Sequence, residues 1–151
     1  MIGGSVSESA RQASPSAEGR MNPFSIAFAH YNLRGERALL DELCRFYCDV
    51  VGLHVGPRPS FADFGYWLYA GERDVLHLSQ LREGETREAG VRSTFDHAAF
   101  ACSGRALAEA RLRRHGVDFR VAEVPGMGLA QLFFNDPAGN GVELSFCADD
   151  R

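Results

Sequence analysis

Four side chains able to bind a metal ion occupy matched positions in the two halves of this 151-residue chain: His30, His77, His97 and Glu143. His30 and His77 are 47 positions apart, and His97 and Glu143 are 46 apart. Imidazole and carboxylate groups together suit a divalent Zn, Ni, Fe, Mn or Co ion rather than Ca or Mg. The spacing therefore predicts one divalent metal site to which both halves contribute.

The sequence around these side chains is repeated as well. Phe28-Ala29-His30 matches Phe95-Asp96-His97, and the segment VLHLS at 75–79 matches GVELS at 141–145. Each half thus has one candidate ligand on its first predicted strand and one on its last. The polar linker 81–92 is typical of a surface connection. We therefore expect one domain, 23–151, made of modules 24–81 and 93–148.

Each module reads as a strand, a helix and three further strands. In the first module, apolar residues recur at helical spacing over 36–51, and Gly52 is a helix stop. Strands are expected at 24–35, 53–57, 64–70 and 74–80. The second module predicts a strand at 93–103, a helix at 104–115, and strands at 118–124, 129–135 and 141–147. The expected fold class is α+β, with two βαβββ modules forming a curved, mixed or antiparallel sheet cup.

Strand alternation places the candidate ligands away from the apolar face that the helices cover. On the strand 74–80, Leu76 and Leu78 point to the helix side while His77 points the other way. A curved sheet would gather these opposite faces into a concave pocket. Further residues expected to line a substrate pocket there are Asn32, Trp67, Tyr69, Ser79, Gln131 and Phe133. A one-residue error in strand phase would turn them to the other face, and Trp67 and Tyr69 could equally be core aromatics.

The composition, 45% hydrophobic and 24% charged, is that of a soluble globular protein. A net charge of -4 gives no reason to expect a nucleic-acid or membrane partner. The four cysteines form no CxxC pair, and we expect reduced thiols in a cytoplasmic protein. Residues 1–22 are rich in Ser, Gly and Ala, so we expect a disordered extension, with Met21 a candidate for the true start.

The stretch 24–148 resembles the vicinal oxygen chelate superfamily, which includes glyoxalase I, bleomycin-resistance proteins, fosfomycin-resistance enzymes, methylmalonyl-CoA epimerase and extradiol dioxygenases. Beside the candidate ligands, the resemblance is carried by FYCDVVGL at 46–53, GYWLYAGERDVLHLS at 65–79, FDHAAF at 95–100 and NDPAGNGVEL at 135–144. It implies a U-shaped sheet and a homodimer, with the cup completed within one chain or across two. It also implies a divalent metal ion on His30, His97 and Glu143.

His77 departs from the pattern of the resemblance. It stands where glyoxalase I usually has Glu and the epimerase has Gln, whereas extradiol dioxygenases have a similar acid–base His near this position. His77 is therefore either a fourth ligand or a proton carrier above a triad of the other three. Glu143 and His77 are the candidate catalytic residues.

Three functions fit this reading. The first is a metal-dependent lyase or isomerase of the glyoxalase type, in which the ion binds two adjacent substrate oxygens and stabilises a developing enolate. The second is an Fe(II) extradiol-type dioxygenase, although most extradiol enzymes are longer than this chain. The third is a non-catalytic, resistance-type small-molecule binding protein, although bleomycin-binding members generally lack the metal residues.

Overall fold

The computed structural model describes residues 27–147. The expectations for the extension 1–22 and for Met21 lie outside these residues. Two four-stranded sheets make up the described part, each with one helix that follows its first strand. No helix in this part of the chain is long and apolar enough to cross a membrane.

The first module contains one sheet in the order β1-β4-β3-β2. β1 runs parallel to β4, and the other neighbours are antiparallel. Its elements are β1 (Tyr31–Gly35), α1 (Arg37–Phe46), a π-helical turn (Tyr47–Val51), β2 (His54–Val55), β3 (Gly65–Ala70) and β4 (Arg73–Gln80).

The second module repeats this arrangement in the order β5-β8-β7-β6. Again the first strand pairs in parallel with the last, and the remaining pairs are antiparallel. Its elements are β5 (His97–Cys102), α2 (Arg105–Arg114), β6 (Arg120–Val124), β7 (Leu129–Asn135) and β8 (Gly141–Phe146). The predicted βαβββ order and the α+β fold class are therefore confirmed.

The duplication extends to the register of the strands. Trp67 on β3 lies opposite His77 on β4, and Phe133 on β7 lies opposite Glu143 on β8. Cross-strand neighbours share a face of the sheet. Each module thus presents an aromatic ring beside its last-strand candidate ligand.

Helix α1 forms because its apolar residues fall on one face. Leu40, Leu43 and Cys44 are buried on that face. The helix continues into the π-helical turn and ends at Gly52, whose φ of +98° lies in the left-handed region that glycine favours. The predicted helical span and its stop at Gly52 are confirmed.

One apolar core joins the two modules. Helix-facing strand residues from both sheets, among them Leu76, Leu78, Val142 and Leu144, are buried in it together with α1. Full burial of each such side chain stabilises the fold by about 1.5–3 kcal/mol. The buried Tyr47 hydroxyl also donates to Asp136 Oδ2 over 3.0 Å, linking the π-helical turn to the β7–β8 turn.

Three predicted strands are shorter than expected by three residues or more. β1 begins at Tyr31 rather than at 24, so His30 lies just before the strand, not within it. β5 likewise begins at His97 rather than at 93. β2 covers only His54–Val55, because Pro57 and Pro59 follow closely and lack the amide hydrogen that a ladder needs.

Candidate metal centre

In the first module, the buried His77 imidazole is held between two other rings. The exposed His30 ring stacks on one side, with 3.7 Å between ring centroids. Trp67 covers the other side at 4.0 Å, with the two planes 2° apart. The register explains the second contact, because Trp67 and His77 are direct cross-strand neighbours. His77 is therefore fixed in place by packing.

Asp74 joins these two histidines. Its Oδ2 atom lies 2.9 Å from His77 Nε2, and ligand atoms of His30, Asp74 and His77 all lie within 4.8 Å of one another. Asp74 was not among the ligands predicted from the sequence, because residues three positions apart on a regular strand point to opposite faces.

A β-bulge on β4 removes that alternation. Leu68 pairs with Leu76, but the next β3 residue, Tyr69, pairs with Asp74. Val75 is thus an extra residue on β4, and the strand phase reverses beyond it. Asp74 therefore lies on the same face as His77, and no periodicity in the sequence signals the bulge.

The electrostatics of this group suit metal binding. Burial lowers the pKa of His77 below its ordinary value, although the hydrogen bond with Asp74 opposes this effect. The hydrogen bond from His77 in turn lowers the pKa of Asp74. Neutral imidazole and ionised carboxylate are the forms that coordinate a divalent ion, and both are favoured near neutral pH.

In the second module, His97 and Glu143 form a pair. His97 Nε2 lies 2.9 Å from Glu143 Oε2, and the Phe133 ring meets the His97 ring edge-on at 5.4 Å. Gln131 Nε2 donates to the other oxygen of Glu143, Oε1, over 2.7 Å. Asp96 Oδ2 lies 2.6 Å from His97 Nδ1 and can hold the ring with Nε2 toward Glu143.

The chemistry of the donors fits a divalent ion in this half too. Glu143 is buried, and the ion pairs of residues 27–147 include none between Glu143 and an arginine. A buried carboxylate is costly without a charged partner. Bonds from a transition-metal ion to nitrogen and oxygen are about 2.0–2.2 Å, so one ion can contact both atoms of the 2.9 Å pair.

The structure brings the four predicted ligands together as two pairs. His30 and His77 lie together with Asp74, while His97 and Glu143 lie together in the other module. Among residues 27–147, neither His97 nor Glu143 belongs to the group of donors within 4.8 Å of one another. His30 directly precedes β1 and His97 begins β5, and both of these strands are sheet edges.

The predicted pocket residues mostly lie beside these pairs. Asn32, opposite His77 in the ladder, donates to Ser79 Oγ over 2.8 Å. Trp67 lies on the same face of its sheet as His77. Gln131 and Phe133 lie on the same face of theirs as Glu143. Tyr69 differs, because its ring packs against His54 and its hydroxyl donates to the Pro57 carbonyl. The Tyr69 side chain is therefore held by residues 54–57, which precede β3.

An open groove of about 740 Å³ runs past His97. Phe133 and Arg120 line it, and the Arg120 guanidinium lies 4.5 Å from the centre of the Phe133 ring. Arg120 is opposite Phe133 in the β6–β7 ladder, so the two share the face of Glu143. The groove is large enough for a small-molecule ligand.

The sequence model of the family described as "Glyoxalase/Bleomycin resistance protein/Dioxygenase superfamily" matches residues 28–144. The chain belongs to this superfamily. A protein of Arabidopsis thaliana named "Glyoxylase I 4" is 31% identical over 113 residues, which are 72% of this chain and 64% of that protein. The chain thus spans less than two thirds of the length of this superfamily relative.

Solved structures of other superfamily members share the fold. A glyoxylase/bleomycin resistance protein/dioxygenase domain from Frankia sp. has a TM-score of 0.64 at 19% identity, covering 82% of this chain and 99% of that one. Lactoylglutathione lyase from Agrobacterium tumefaciens has a TM-score of 0.59 at 22% identity, covering 80% and 92%. At these identities the likeness establishes the fold alone, and the predicted family is confirmed by the family match.

Proposed function

We propose that this superfamily member is a metal-dependent enzyme of the glyoxalase type, a lyase or isomerase for a small substrate that chelates through two adjacent oxygens. The observation that carries the proposal is the buried Glu143, whose two oxygens face an imidazole and an amide. Such a carboxylate is costly to bury, and metal binding or proton transfer accounts for it. A protein that only binds a small apolar compound gains nothing from it.

The metal ligands in this proposal are His30, His77, His97 and Glu143. A divalent ion bound there would act as a Lewis acid for the substrate oxygens. The side chains around the ligands keep them in place. Trp67 packs on His77, Gln131 holds Glu143, and Asp96 holds His97.

Glu143 and His77 are the residues that we propose move protons. Glu143 Oε1 is anchored by Gln131, while Oε2 is directed at His97. In the alternative in which His77 stands above a triad of the other three ligands, it can accept a proton, because burial lowers its pKa and the ring is neutral near pH 7. Asp74, at 2.9 Å, would stabilise the resulting imidazolium.

We also propose that the enzyme is a homodimer whose sites are shared. β1 and β5 each have a free edge among residues 27–147, and each edge is next to a candidate ligand. If β1 of one copy lay beside β5 of the other, a two-fold axis would create two equivalent sites. Each site would then combine His30 and His77 of one copy with His97 and Glu143 of the other.

Mixing two inactive variants tests the shared site. One variant carries His30→Ala and His77→Ala, and the other carries His97→Ala and Glu143→Gln. Co-expressed in equal amounts, they should form mixed dimers with one intact site each, which restores about a quarter of the parent's activity. Solvent deuterium incorporation into a hemithioacetal substrate, measured by NMR after gel filtration, reports this. No recovery in a purified mixed dimer would show that the site is not shared.

The activity is tested by proton exchange next to a carbonyl. Hemithioacetals of 2-oxoaldehydes and thiols are suitable substrates, because they carry the adjacent oxygens and the acidic C–H bond. The rate of solvent deuterium incorporation, measured by NMR, should fall by at least about 100-fold in Glu143→Gln. The substitution Glu123→Gln on β6, outside the proposed site, is the control. A metal-loaded parent that catalyses no exchange in such substrates contradicts the proposal.

An Fe(II) extradiol-type dioxygenase is the second candidate. It is favoured by the His30, Asp74 and His77 group, because two histidines and one carboxylate are the donor set typical of non-haem Fe(II) oxygenases. Oxygen uptake by the iron-loaded protein with catechols, absent from the zinc-loaded form, would support this function over the first. Absence of bound metal from the parent would leave the resistance-type binding protein.

A further inference from the structure

We propose that Asp74 is a metal ligand, so that the first module holds a divalent ion by itself on His30, Asp74 and His77. This inference rests on the proposed metal-dependent function and adds a ligand that the four-residue set lacks. Ligand atoms of the three residues lie within 4.8 Å of one another. They supply two imidazoles and one carboxylate, a complete donor set for an ion that keeps open positions for a substrate.

The β4 bulge is the first observation that supports this role. It changes the strand phase only between Leu76 and Asp74, and this change places the carboxylate on the His77 face. The equivalent stretch of the second module has no bulge, since Phe134 and Asn135 pair with Val142 and Gly141 in unbroken register. Bulges that redirect one side chain are common next to functional sites.

Comparison of the two modules gives a second observation. The segment DVLHLS at 74–79 matches NGVELS at 140–145. Where the second module has Glu143 and Asn140, the first has His77 and Asp74. Asn140 is occupied in a turn, where its amide donates to Asp136. With these two differences, each module has one carboxylate on the sheet face that bears its candidate ligands, Asp74 in the first and Glu143 in the second. Asp74 reaches that face because of the bulge.

The surroundings of Asp74 allow an ion to enter. Its side chain is 39% exposed, whereas the side chain of His77 is 8% exposed. Trp67 closes one side of the His77 ring, so the approach is from the side of His30 and Asp74. Arg73 donates to the carbonyl of Phe28 over 2.9 Å. This bond holds the segment that carries His30 against the start of β4.

A positioning role is the competing explanation. A carboxylate that bonds a ligand histidine can orient the ring without touching the ion, and its loss also weakens metal binding. Affinity alone therefore does not distinguish a ligand from an orienting partner. The spectrum of the bound ion does, because it reports which atoms coordinate.

Cobalt(II) binding to the full-length protein provides the test. In a background of His97→Ala and Glu143→Gln, we expect one Co²⁺ per chain to remain bound. Calorimetry and visible absorption measure this binding. Adding Asp74→Asn should weaken that binding by about tenfold or more and change the visible spectrum. Glu72→Gln, an exposed carboxylate on the β3–β4 turn, should change neither quantity.

A gain of signal tests coordination directly. Asp74→Cys should give the thiolate-to-cobalt absorption band in the near ultraviolet, and Glu72→Cys should not. Circular dichroism checks that each variant is folded. If the parent binds Co²⁺ but the His97→Ala, Glu143→Gln background does not, or if folded Asp74→Cys gives no band, the inference is wrong while the proposed function stands. If the parent binds no metal, the proposed function fails with it.

Discussion

Single side chains in this protein are fixed by more than one neighbour, and the buried carboxylate of Glu143 is the clearest case. Its two oxygens have different partners, Gln131 on one side and His97 on the other. A buried acceptor that loses its donor keeps the full cost of its removal from water. The Gln131 amide is therefore expected to matter for stability as well as for orientation.

Replacing Gln131 by Ala should lower the free energy of unfolding of the metal-free protein by about 1–3 kcal/mol. Urea unfolding in the presence of a chelator measures this change. The same substitution in a Glu143→Gln background is the control, because the charged acceptor is then gone. If Gln131→Ala costs the same in both backgrounds, its effect is not due to the hydrogen bond with the carboxylate.

At the residue scale, the sequence indicated the chemistry of the site better than its geometry. The types and matched spacing of His30, His77, His97 and Glu143 indicated metal ligands, and these assignments stay a proposal. Asp74 and Asp96 could not be assigned from the pattern. The first depends on a bulge, and the second lies just outside β5, where strand alternation does not apply.

Strands and helices followed their sequence patterns closely. Alternation at Leu76 and Leu78 and the glycine after α1 correctly predicted β4 and the end of the helical segment. The failures occur where tertiary pairing decides. β1 begins at Tyr31, which pairs with Leu76 of the parallel strand β4. Leu76 is the first β4 residue past the bulge, so β1 begins where the pairing of β4 becomes regular. No local pattern carries that information.

The β5–β8 pair depends on a close approach of two backbones. A Cβ atom placed on Gly141 would lie 2.1 Å from the Asp96 carbonyl oxygen and 2.9 Å from His97 Cβ. Gly141→Ala should therefore push β5 from β8, lower the free energy of unfolding by about 1–3 kcal/mol, and weaken metal binding at His97 and Glu143.

Thermal unfolding and metal titration measure both effects of Gly141→Ala. Gly35→Ala is the matched control, because its added Cβ would meet the flexible end of Leu39 at 3.0 Å rather than a backbone atom. An alanine at 141 that leaves both stability and metal affinity at the parent's values would show that the strands tolerate the extra atom.

At the scale of the whole molecule, two similar modules share one core and present their candidate ligands separately. The sequence predicted the two modules and their common order, and the comparisons confirm the fold. It left open whether the cup closes within one chain, because repeat spacing does not determine how two sheets pack. That question depends on contacts such as the one between Tyr47 and Asp136.

Tyr47→Phe should lower the free energy of unfolding by about 1–3 kcal/mol, since it leaves the buried Asp136 oxygen without its donor. Tyr66→Phe is the matched control. The Tyr66 hydroxyl also donates to a carboxylate, that of Asp41, but the Asp41 side chain is exposed, so water can replace the lost donor and the cost should be smaller. Urea unfolding ranks the two, and an equal cost for both would contradict the assigned bond.

The stacking of Trp67 on His77 gives this protein an optical reporter. The chain has one tryptophan, so its fluorescence comes from a single place, 4.0 Å from a candidate ligand. Indole emission responds to the charge of a stacked imidazole, whether a proton or a metal ion brings that charge. The tryptophan emission of the purified, unlabelled protein should therefore follow the occupancy of the first module.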